Sequence, residues 1–434
     1  MAAGLTRRRF LSRTAAASAS VWVAGAIRPV RAWGANDKLN IAAIGAGGRA
    51  ASNLKGVASE NIVALCDVDT ERLAKASELY PSAMCYADLR RVLERDDLDA
   101  VVVSTPDHMH AYAAVHALRL GKHVYCEKPL THSVWEARLL RNEAAKRKVA
   151  TQMGNQGHAS ASTRRIVELL QAGAIGQVRE LHAWTNRPIW PQGLVRPTTS
   201  PDAPHTVHWE LWLGVAPDRP YDPTYHPFKW RGWWDFGTGA LGDMACHVLD
   251  AANWALKLGA PTRITAEAPE PKPETAPNWC ILRYDFPQRG ELAPLKMTWY
   301  DGGKLPPTEL FEGERVNNNG TLYIGDKGKL YVPSEYSGNH LLLPRDRFRD
   351  FQAPAPSIPD SPGHHEEWIQ ACKTGKTGGS NFDYAAGLTE TVLLGNLALR
   401  SGGAINWNSA ELKVTNTSAA DPFIKRIYRP GWEL

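Results

Sequence analysis

The stretch LNIAAIGAGGRA, residues 39–50, constrains the fold of this chain more than any other segment. An apolar run ends directly in glycines, and small residues then open a helical segment. Gly45 permits a tight turn, Gly47 allows close approach to the main chain, and Ala50 keeps helix and strand packed together. A strand that passes through such a turn into a helix begins a βαβ unit, so a parallel sheet with crossover helices is expected.

Short β-rich runs and helical segments alternate from Leu39 to Met153. The strand-like runs are LNIAAIG, NIVALCD, DAVVVST, KHVYCE and VATQM. The helical segments between them are TERLAKASELY, HAYAAVHALRLG and SVWEARLLRNEAAKRK. The three valines of DAVVVST are typical of a parallel strand that is buried on both faces. The pattern predicts the α/β class, with an N-terminal Rossmann domain, a doubly wound parallel sheet, over residues 36–155.

The pattern changes after about Gly154. One helical segment, TRRIVELLQAG, ends at Gly173 with a favourable C-cap, and turns and proline-rich loops separate the runs that follow. These strand-like runs are VRELHAWTN, CILRYDF, PLKMTWYD and GTLYIGDKGKLYV. They predict a C-terminal α+β domain, residues 156–434, with a largely antiparallel open sheet.

The glycine turn stands in the context of a dinucleotide site. The N-terminus of the following helix offers N–H groups and a partial positive charge to phosphates. The second strand ends in Asp67, 20 residues after Gly47. Such an acid binds a ribose 2′-OH and repels a 2′-phosphate, which predicts NAD, while Arg72 leaves NADP as the less favoured cofactor. Asp69 is a second candidate for the ribose, and a glycine turn without a ligand is the alternative.

Two later stretches carry side chains suited to catalysis. CEKPLT ends a sheet strand, where ligands of such sheets bind, and Pro129 would aim Lys128. In GDMACHVLD a helix would place Asp243, His247 and Asp250 on one face. A carboxylate one turn from a histidine can orient the ring and tune its pKa toward neutrality.

These stretches resemble the Gfo/Idh/MocA family, which contains glucose–fructose oxidoreductase, inositol dehydrogenase and their relatives. The motifs that carry the resemblance are GAGGRA, STPDHMH, GKHVYCEKPL, QAGAIGQV, GDMACHVLD and YRPGWEL. EKP after a strand, with DxxxH some 115 residues later, is a specific pair. The resemblance covers nearly all of the chain after residue 32. It implies that the C-terminal domain binds substrate and forms a homo-oligomer, a dimer or tetramer.

The resemblance also implies roles for single residues. Lys128 and His247 would flank the nicotinamide and the oxidised carbon, and Asp243 would bind a substrate hydroxyl or orient His247. The residues implied in cofactor binding are Gly45, Gly47, Gly48, Arg49, Asp67, Thr105, Pro106, His108, His110, Glu127, Lys128 and Gln156. His158 stands where many relatives carry arginine, so its role is open.

The same residues fit the oxidation of a secondary alcohol. His247 would take the hydroxyl proton, Lys128 would stabilise the developing alkoxide, and the cofactor would take the hydride. The alternatives are a surface lysine, a core histidine, or a metal held by Asp243, His247 and a third ligand, for which no further histidine stands at ligand spacing. No metal is therefore expected. A non-catalytic sugar-binding protein on the same fold is the alternative from another class.

Tryptophans are concentrated in one part of the second domain. They are Trp184, Trp190, Trp209, Trp212, Trp230, Trp233 and Trp234. Flat aromatic faces stack on sugars, and Arg187 and Asp235 could bind hydroxyls, but core and interface packing explains the tryptophans equally well. Together with the resemblance they predict a sugar or polyol substrate. His364 and His365 are expected to cap or line the pocket rim.

TRRRFL, residues 6–11, matches a twin-arginine export signal. A mild apolar run and the small-residue site Val30-Arg31-Ala32 follow it, so residues 1–32 are expected to be a signal peptide read by the twin-arginine machinery. That route exports folded cargo to the periplasm. A basic disordered N-terminus and an uncleaved anchor are the alternatives, although the run is short for a membrane span.

Export bears on the chemistry because a periplasm has no dependable pool of free NAD. A cofactor that is bound tightly before export and recycled within the site is therefore expected. Recycling could join the oxidation of one sugar to the reduction of another carbonyl. It could also be redox-neutral, with glycoside hydrolysis or epimerisation through a transient keto-sugar.

The charge of the chain gives no support to nucleic acid as a partner. The formal net charge is +5, but residues 1–32 hold six arginines and no acids, which leaves 44 basic and 45 acidic side chains beyond them. The rest of the chain is thus near neutral. The six cysteines show no zinc-ligand spacing and are expected to be buried free thiols.

Overall fold

The computed structural model describes residues 37–434, and residues 38–434 form one compact unit. The predicted signal peptide lies outside the described residues. The strands are β1 (Asn40–Ile44), β2 (Asn61–Cys66), β3 (Met84–Tyr86), β4 (Ala100–Val103), β5 (His123–Glu127), β6 (Thr151–Gly154), β7 (Val178–Trp184), β8 (Arg263–Glu267), β9 (Ile281–Phe286), β10 (Leu295–Tyr300), β11 (Gly320–Gly325), β12 (Gly328–Val332), β13 (Leu341–Leu343), β14 (Ile405–Asn408) and β15 (Lys413–Val414).

Helices flank both sheets. They are α1 (Arg49–Gly56), α2 (Thr70–Leu79), α3 (Leu89–Leu93), α4 (Asp107–Arg119), α5 (Val134–Arg147), α6 (Ala161–Gln171), α7 (Trp209–Leu213), α8 (Gly239–Val248), α9 (Asp250–Leu256), α10 (His364–Thr374), α11 (Phe382–Arg400) and α12 (Asp421–Ile424). Within residues 37–434, no helix is both long enough and apolar enough to cross a membrane.

The first sheet has six parallel strands in the order β3-β2-β1-β4-β5-β6. The order reverses between β1 and β4, as in a doubly wound Rossmann domain. All four residues of β4 are buried, since helices cover both faces. The predicted fold of this half is confirmed, and β3, a short edge strand, is the one element of the sheet that its pattern did not predict.

The second sheet has nine strands in the order β13-β12-β11-β7-β10-β9-β8-β14-β15. Only β7 and β10 pair in parallel, and the other neighbours are antiparallel. The largely antiparallel sheet predicted for the C-terminal part is confirmed. Strands β8, β13, β14 and β15 were not predicted, because they are short or poorly alternating.

Helix α11 joins the two halves into one unit. It packs against α5 of the first domain and against α8 and β8 of the second. Nearly all of its residues are buried, and Val392 and Leu393 share one core with Val103 and Leu130. The sequence boundary near residue 155 therefore does not separate two independent cores.

Packing accounts for most of the seven tryptophans. Five of them are buried: Trp184, Trp190, Trp212, Trp233 and Trp234. The members of one group, here called the aromatic cluster, are Trp212, Leu213, Ala216, Tyr225, Trp233 and Phe236. Trp209 and Trp230 pack against it, partly buried. Five of the six cysteines are buried free thiols as expected, and the exception is the exposed Cys85.

His123, at the start of β5, makes stability depend on pH. Its Nδ1 accepts a hydrogen bond from the Ala150 N–H at 2.9 Å, and burial lowers the pKa of the ring to about 4. The unfolded state takes up a proton near pH 6.5 while the native state does not. Stability is therefore lost as pH falls from 6.5 toward 4, by about 2 kcal/mol at pH 5 from this residue.

We expect His123→Asn, which keeps an acceptor and cannot titrate, to lose less stability than the wild type between pH 7.5 and pH 5. His123→Ala, which lacks the acceptor, should be less stable at both pH values. Urea unfolding at the two pH values measures this. An equal pH effect in the wild type and His123→Asn would contradict it.

Candidate active site

The glycine turn between β1 and α1 is built for a phosphate ligand. Gly45 has a φ of +89°, and a Cβ there would lie 2.6 Å from the Ser104 carbonyl oxygen. Gly48 is the N-cap of α1 at a φ of +57°, and among residues 37–434 no side chain caps this helix. The N–H groups of Ala50 and Ala51 donate to the carbonyl oxygens of Gly47 and Gly48 at 3.1 and 3.2 Å, and the helix start still offers a partial positive charge to an anion.

Asp67 stands beside this turn, as its spacing predicted. Its Oδ2 accepts hydrogen bonds from the N–H groups of Ala46 at 2.9 Å and Gly47 at 3.2 Å, and its Oδ1 accepts one from Asp69 at 2.9 Å. Burial raises the pKa of Asp67. A carboxylate oxygen can accept about two hydrogen bonds, so Oδ1, which accepts one from Asp69, keeps capacity for a ribose hydroxyl.

Asp69 and Arg72 have other partners. The Asp69 carboxylate caps α2 by accepting from the Glu71 N–H at 3.1 Å, and it pairs with Arg72 at 3.4 Å. Its side chain is thus committed to the helix start, which leaves Asp67 as the better placed ribose acid.

The carboxylate of Glu127, the last residue of β5, accepts hydrogen bonds from three side chains, two of which were predicted to bind the cofactor. Its Oε1 accepts from Arg49 Nε at 3.1 Å, Asn53 Nδ2 at 3.0 Å and Gln156 Nε2 at 2.9 Å. Burial opposes its ionisation, but Arg49 and Lys128 outweigh burial and lower the pKa of Glu127. The start of α1, the end of β5 and the segment after β6 are therefore held at one point.

The loop after β4 is held by two histidines. His110 faces the carbonyl oxygens of Pro129 at 2.7 Å and Thr105 at 2.9 Å, and so ties the loops after β4 and β5 together. His108 is fully buried and faces the carbonyls of Phe236 and Trp212.

The side chains of His108 and His110 thus fix main-chain segments of both domains by hydrogen bonds. Their contact with a cofactor stays a prediction. The same holds for Pro106, the N-cap of α4. Thr105 Oγ1 differs, because it is buried with no hydrogen-bond partner within residues 37–434.

Lys128 is joined across the domain boundary to α8. Its Nζ donates to the Oδ1 and the carbonyl oxygen of Asp243, both at 2.8 Å. Arg231 Nε lies 3.3 Å from the same Oδ1, and its Nη1 lies 3.1 Å from Asp107. Although burial disfavours the carboxylate, Lys128 and Arg231 outweigh it and hold the pKa of Asp243 well below its usual range.

His247 lies one helical turn after Asp243, as predicted, but is electrostatically different from expectation. Burial first, and then the charge of Lys128, lower the pKa of His247 to about 3. Asp243 raises the pKa of this ring, as the prediction required, but burial and Lys128 outweigh it, so the ring is not tuned toward neutrality. Nδ1 of His247 is buried with no partner among the described residues, and the Tyr336 ring packs edge-on at 5.0 Å.

Asp250 and His158 form a separate buried pair. Leu249 ends the first helix, so Asp250 begins α9 and accepts from His158 Nδ1 at 3.0 Å. The same carboxylate accepts two further hydrogen bonds, from Asn155 Nδ2 at 3.0 Å and from the Tyr384 hydroxyl at 2.7 Å. The role left open for His158 is therefore to hold the segment after β6 against α9.

The remaining candidates divide between the site and its surroundings. Arg187 Nε lies 4.0 Å from Asp243 Oδ2, whereas Asp235 pairs with Arg219 and belongs elsewhere. His365 stacks on Tyr125 at 4.9 Å and contacts Asn53, while His364 is buried against the Met153 carbonyl oxygen.

Sequence reasoning missed Asp107, Arg231 and Tyr336. Asp107 stands inside the quoted STPDHMH motif, where a buried acid implies a buried cation as its partner. Arg231 and Tyr336 are brought to the site by irregular loops, and no local pattern marks them.

The residues present fit a nicotinamide dinucleotide. An uncapped helix start, an acid beside the turn and an unpartnered Thr105 hydroxyl follow one another along the carboxyl edge of the sheet, where such a cofactor binds. No cluster of three or more His, Cys, Asp or Glu side chains suited to a metal occurs between residues 37 and 434.

Two family models match this chain. One is described as an oxidoreductase family with an NAD-binding Rossmann fold and covers residues 39–155. The other is described as the C-terminal alpha/beta domain of an oxidoreductase family and covers residues 190–434. The first domain is thus an NAD-binding Rossmann domain.

Curated relatives match in part. Levoglucosan dehydrogenase of Pseudarthrobacter phenanthrenivorans is 23% identical over 190 residues, which are 44% of this chain and 41% of the relative. A glycosyl hydrolase family 109 protein of Saccharopolyspora erythraea is 31% identical over 204 residues, 40% of this chain and 44% of the relative. The chain thus spans less than half the length of these relatives.

A solved structure matches over more of the chain. The WlbA dehydrogenase of Bordetella pertussis, crystallised with NADH and UDP-GlcNAcA, superposes with a TM-score of 0.61. The match covers 86% of this chain and 99% of that chain at 18% identity, and so shows a shared fold.

The charge of Lys128 on His247 can be tested directly. We expect Lys128→Met to raise the pKa of His247 from about 3 by about one unit or more, because a nearby like charge is removed while burial persists. Nitrogen chemical shifts of the ring, followed against pH, report this. Lys146→Met, at an exposed position of α5, is the control. An unchanged midpoint in Lys128→Met would show that burial alone sets the pKa.

Proposed function

This chain belongs to the Gfo/Idh/MocA family of NAD-binding oxidoreductases, and on that premise we propose that it oxidises a secondary hydroxyl of a sugar or polyol. The observation that carries the proposal is the buried contact of Lys128 with Asp243, one helical turn from His247, whose Nδ1 has no hydrogen-bond partner among residues 37–434. An ammonium group and a neutral imidazole at the carboxyl edge of an NAD-binding sheet are what removal of a hydroxyl proton requires.

Lys128 binds and polarises the substrate oxygen in this proposal. Its ammonium group has three donors, and Asp243 takes two of them, so one is left for the hydroxyl. Asp243 holds the ammonium group in place and is itself held by Arg231, which limits the reorganisation needed when negative charge develops on the oxygen.

His247 takes the hydroxyl proton at Nδ1. With a pKa of about 3 the ring is neutral at physiological pH, and it is a weak base. Proton transfer therefore depends on Lys128, whose charge stabilises the alkoxide left behind. A nicotinamide dinucleotide, with its phosphates held at the glycine turn, would supply the acceptor for the hydride.

The sugar or polyol class is supported by the relatives. The names levoglucosan dehydrogenase and UDP-GlcNAcA-bound dehydrogenase both point to carbohydrate ligands for this architecture. Arg187, in the segment after β7, lies 4.0 Å from Asp243 and is placed to bind a further substrate hydroxyl.

We also propose that the protein is exported folded to the periplasm by the twin-arginine route, with NAD already bound and recycled in the site, as a homo-oligomer. TRRRFL and the arginine-rich segment around it support the export. Recycling then couples the oxidation of one sugar to the reduction of another carbonyl.

A second candidate is redox-neutral chemistry, in which a transient keto-sugar permits glycoside hydrolysis or epimerisation and the hydride returns. The 31% identity to a protein named as a glycosyl hydrolase of family 109 favours it. A non-catalytic sugar-binding protein is disfavoured, because Lys128, Asp243 and His247 are all present and in contact range of one site.

Removal of the Lys128 ammonium group tests the catalytic role. We expect Lys128→Ala to lower turnover of sugars by about 10²–10³-fold, the usual cost of losing a group that stabilises an oxyanion. The melting temperature should also fall, because Asp243 loses a buried partner, so turnover is compared at a temperature where both proteins are folded. Lys146→Ala is the matched control on an exposed face. Unchanged turnover in Lys128→Ala would favour the binding-protein alternative.

Retention of the cofactor has its own test. The protein is purified without added NAD, denatured, and the released nucleotides are identified by mass spectrometry. Stoichiometric NAD, with turnover that needs no fresh cofactor after dialysis, is expected. Absolute dependence on added NAD would defeat internal recycling and leave an ordinary dehydrogenase.

A further inference from the structure

The loop that carries the ribose acid is paired with main chain from the second domain. Asp69 and Val207 form an antiparallel bridge. The His208 N–H donates to the Val68 carbonyl oxygen at 2.9 Å, and the Thr70 N–H donates to the Thr206 carbonyl oxygen at 2.9 Å. Residues 206–208 thus extend the loop after β2 as a short added strand.

This loop is the adenosine end of the glycine turn. Asp67 precedes the bridged residues, and its Oδ1 accepts from the Asp69 N–H at 2.9 Å. The bridge therefore acts on the ribose acid through one hydrogen bond. Main chain from residues 206–208 and the acid move as one hydrogen-bonded unit.

Side chains from both domains pack around Asp69 in this loop. The Arg72 side chain lies across the turn, since a Cβ on Gly47 would lie 2.8 Å from Arg72 Cδ. His226 Nε2 lies 3.8 Å from Asp69 Oδ2, and the ring is buried with Trp212 edge-on at 5.9 Å. Asp69 is thereby enclosed between Arg72 of the first domain and His226 of the second.

The added strand is anchored in the second domain. His208 is the N-cap of α7, whose Trp212 and Leu213 belong to the aromatic cluster. Val68 packs against the same cluster. To loosen the loop, two main-chain hydrogen bonds must break and Val68 must leave an apolar contact.

We propose that residues 206–208 and His226, here called the adenosine clasp, form a second-domain wall of the adenosine site and slow the release of NAD. This rests on the proposed function, in which the cofactor stays bound. It assigns part of the tryptophan-rich region to cofactor retention, through the aromatic cluster that anchors the clasp.

One substitution removes a clasp hydrogen bond with little other change. His208 has a φ of −75°, which suits a proline ring, and its side chain is exposed. His208→Pro lacks the N–H that reaches Val68, whereas His208→Ala keeps it. The pair separates the main-chain bond from the side chain.

The experiment measures exchange of the cofactor without turnover. Each protein is loaded with NAD and mixed with excess deuterated NAD, and the bound isotope is followed by mass spectrometry after rapid desalting. We expect His208→Pro to exchange about tenfold faster than the wild type, the effect of one main-chain hydrogen bond, and His208→Ala to exchange at the wild-type rate. Equal rates in all three proteins would overturn the clasp.

A second pair of variants provides the test if His208→Pro does not fold. His226→Ala should also release NAD faster, while His205→Ala, at an exposed position of the same segment, should not. Equal release from both would again overturn the proposal. The clasp is judged by ratios of cofactor-exchange rates, which need no sugar turnover. Unchanged sugar turnover in Lys128→Ala would therefore defeat the proposed function and leave the clasp result readable.

Discussion

The structure depends most on the ion pair between Lys128 and Asp243. The two side chains come from different domains, and each is only about an eighth exposed, at 13% and 12%. Burial of two charges is costly unless each has further partners. Arg231 and Asp107 supply these, so four charged groups alternate in sign across the boundary. Because separating the pair would leave two buried charges unpaired, the end of β5 and the middle of α8 are held together, and the candidate site lies between them.

A second set of buried polar contacts holds what surrounds that pair. Glu127 ties α1 to the segment after β6, and Asp250 ties the same segment to α9 through His158. Helix α11 covers both domains from behind. The fold thus holds the proposed reacting groups in place, which is the condition under which fixed charges act on a transition state.

Much of this arrangement was readable in the sequence. The strand–glycine–helix start, the run of valines in β4 and the acid at the end of β2 have local causes, and they predicted the first domain, its cofactor and its site edge. Helix α11 was not recognised, because it is apolar on nearly all sides and so lacks the one-sided period that marks a surface helix. The tryptophans were ambiguous for a related reason, since an aromatic ring suits a core and a sugar equally well.

The sequence by itself determined the fold class and the glycine turn, and it predicted Asp67 as the ribose acid and the pairing of a lysine motif with an Asp–His helix. Only the tertiary structure decided the charge partners and the pKa values of these groups. The Asp243 carboxylate binds Lys128 because the Lys128 ammonium group lies 2.8 Å from it, although Lys128 and Asp243 are 115 residues apart in the chain. Burial, which lowers the pKa of His247 to about 3, is likewise a property of what packs around the ring. Local patterns specify elements, whereas desolvation and long-range charge pairs arise only when the elements meet.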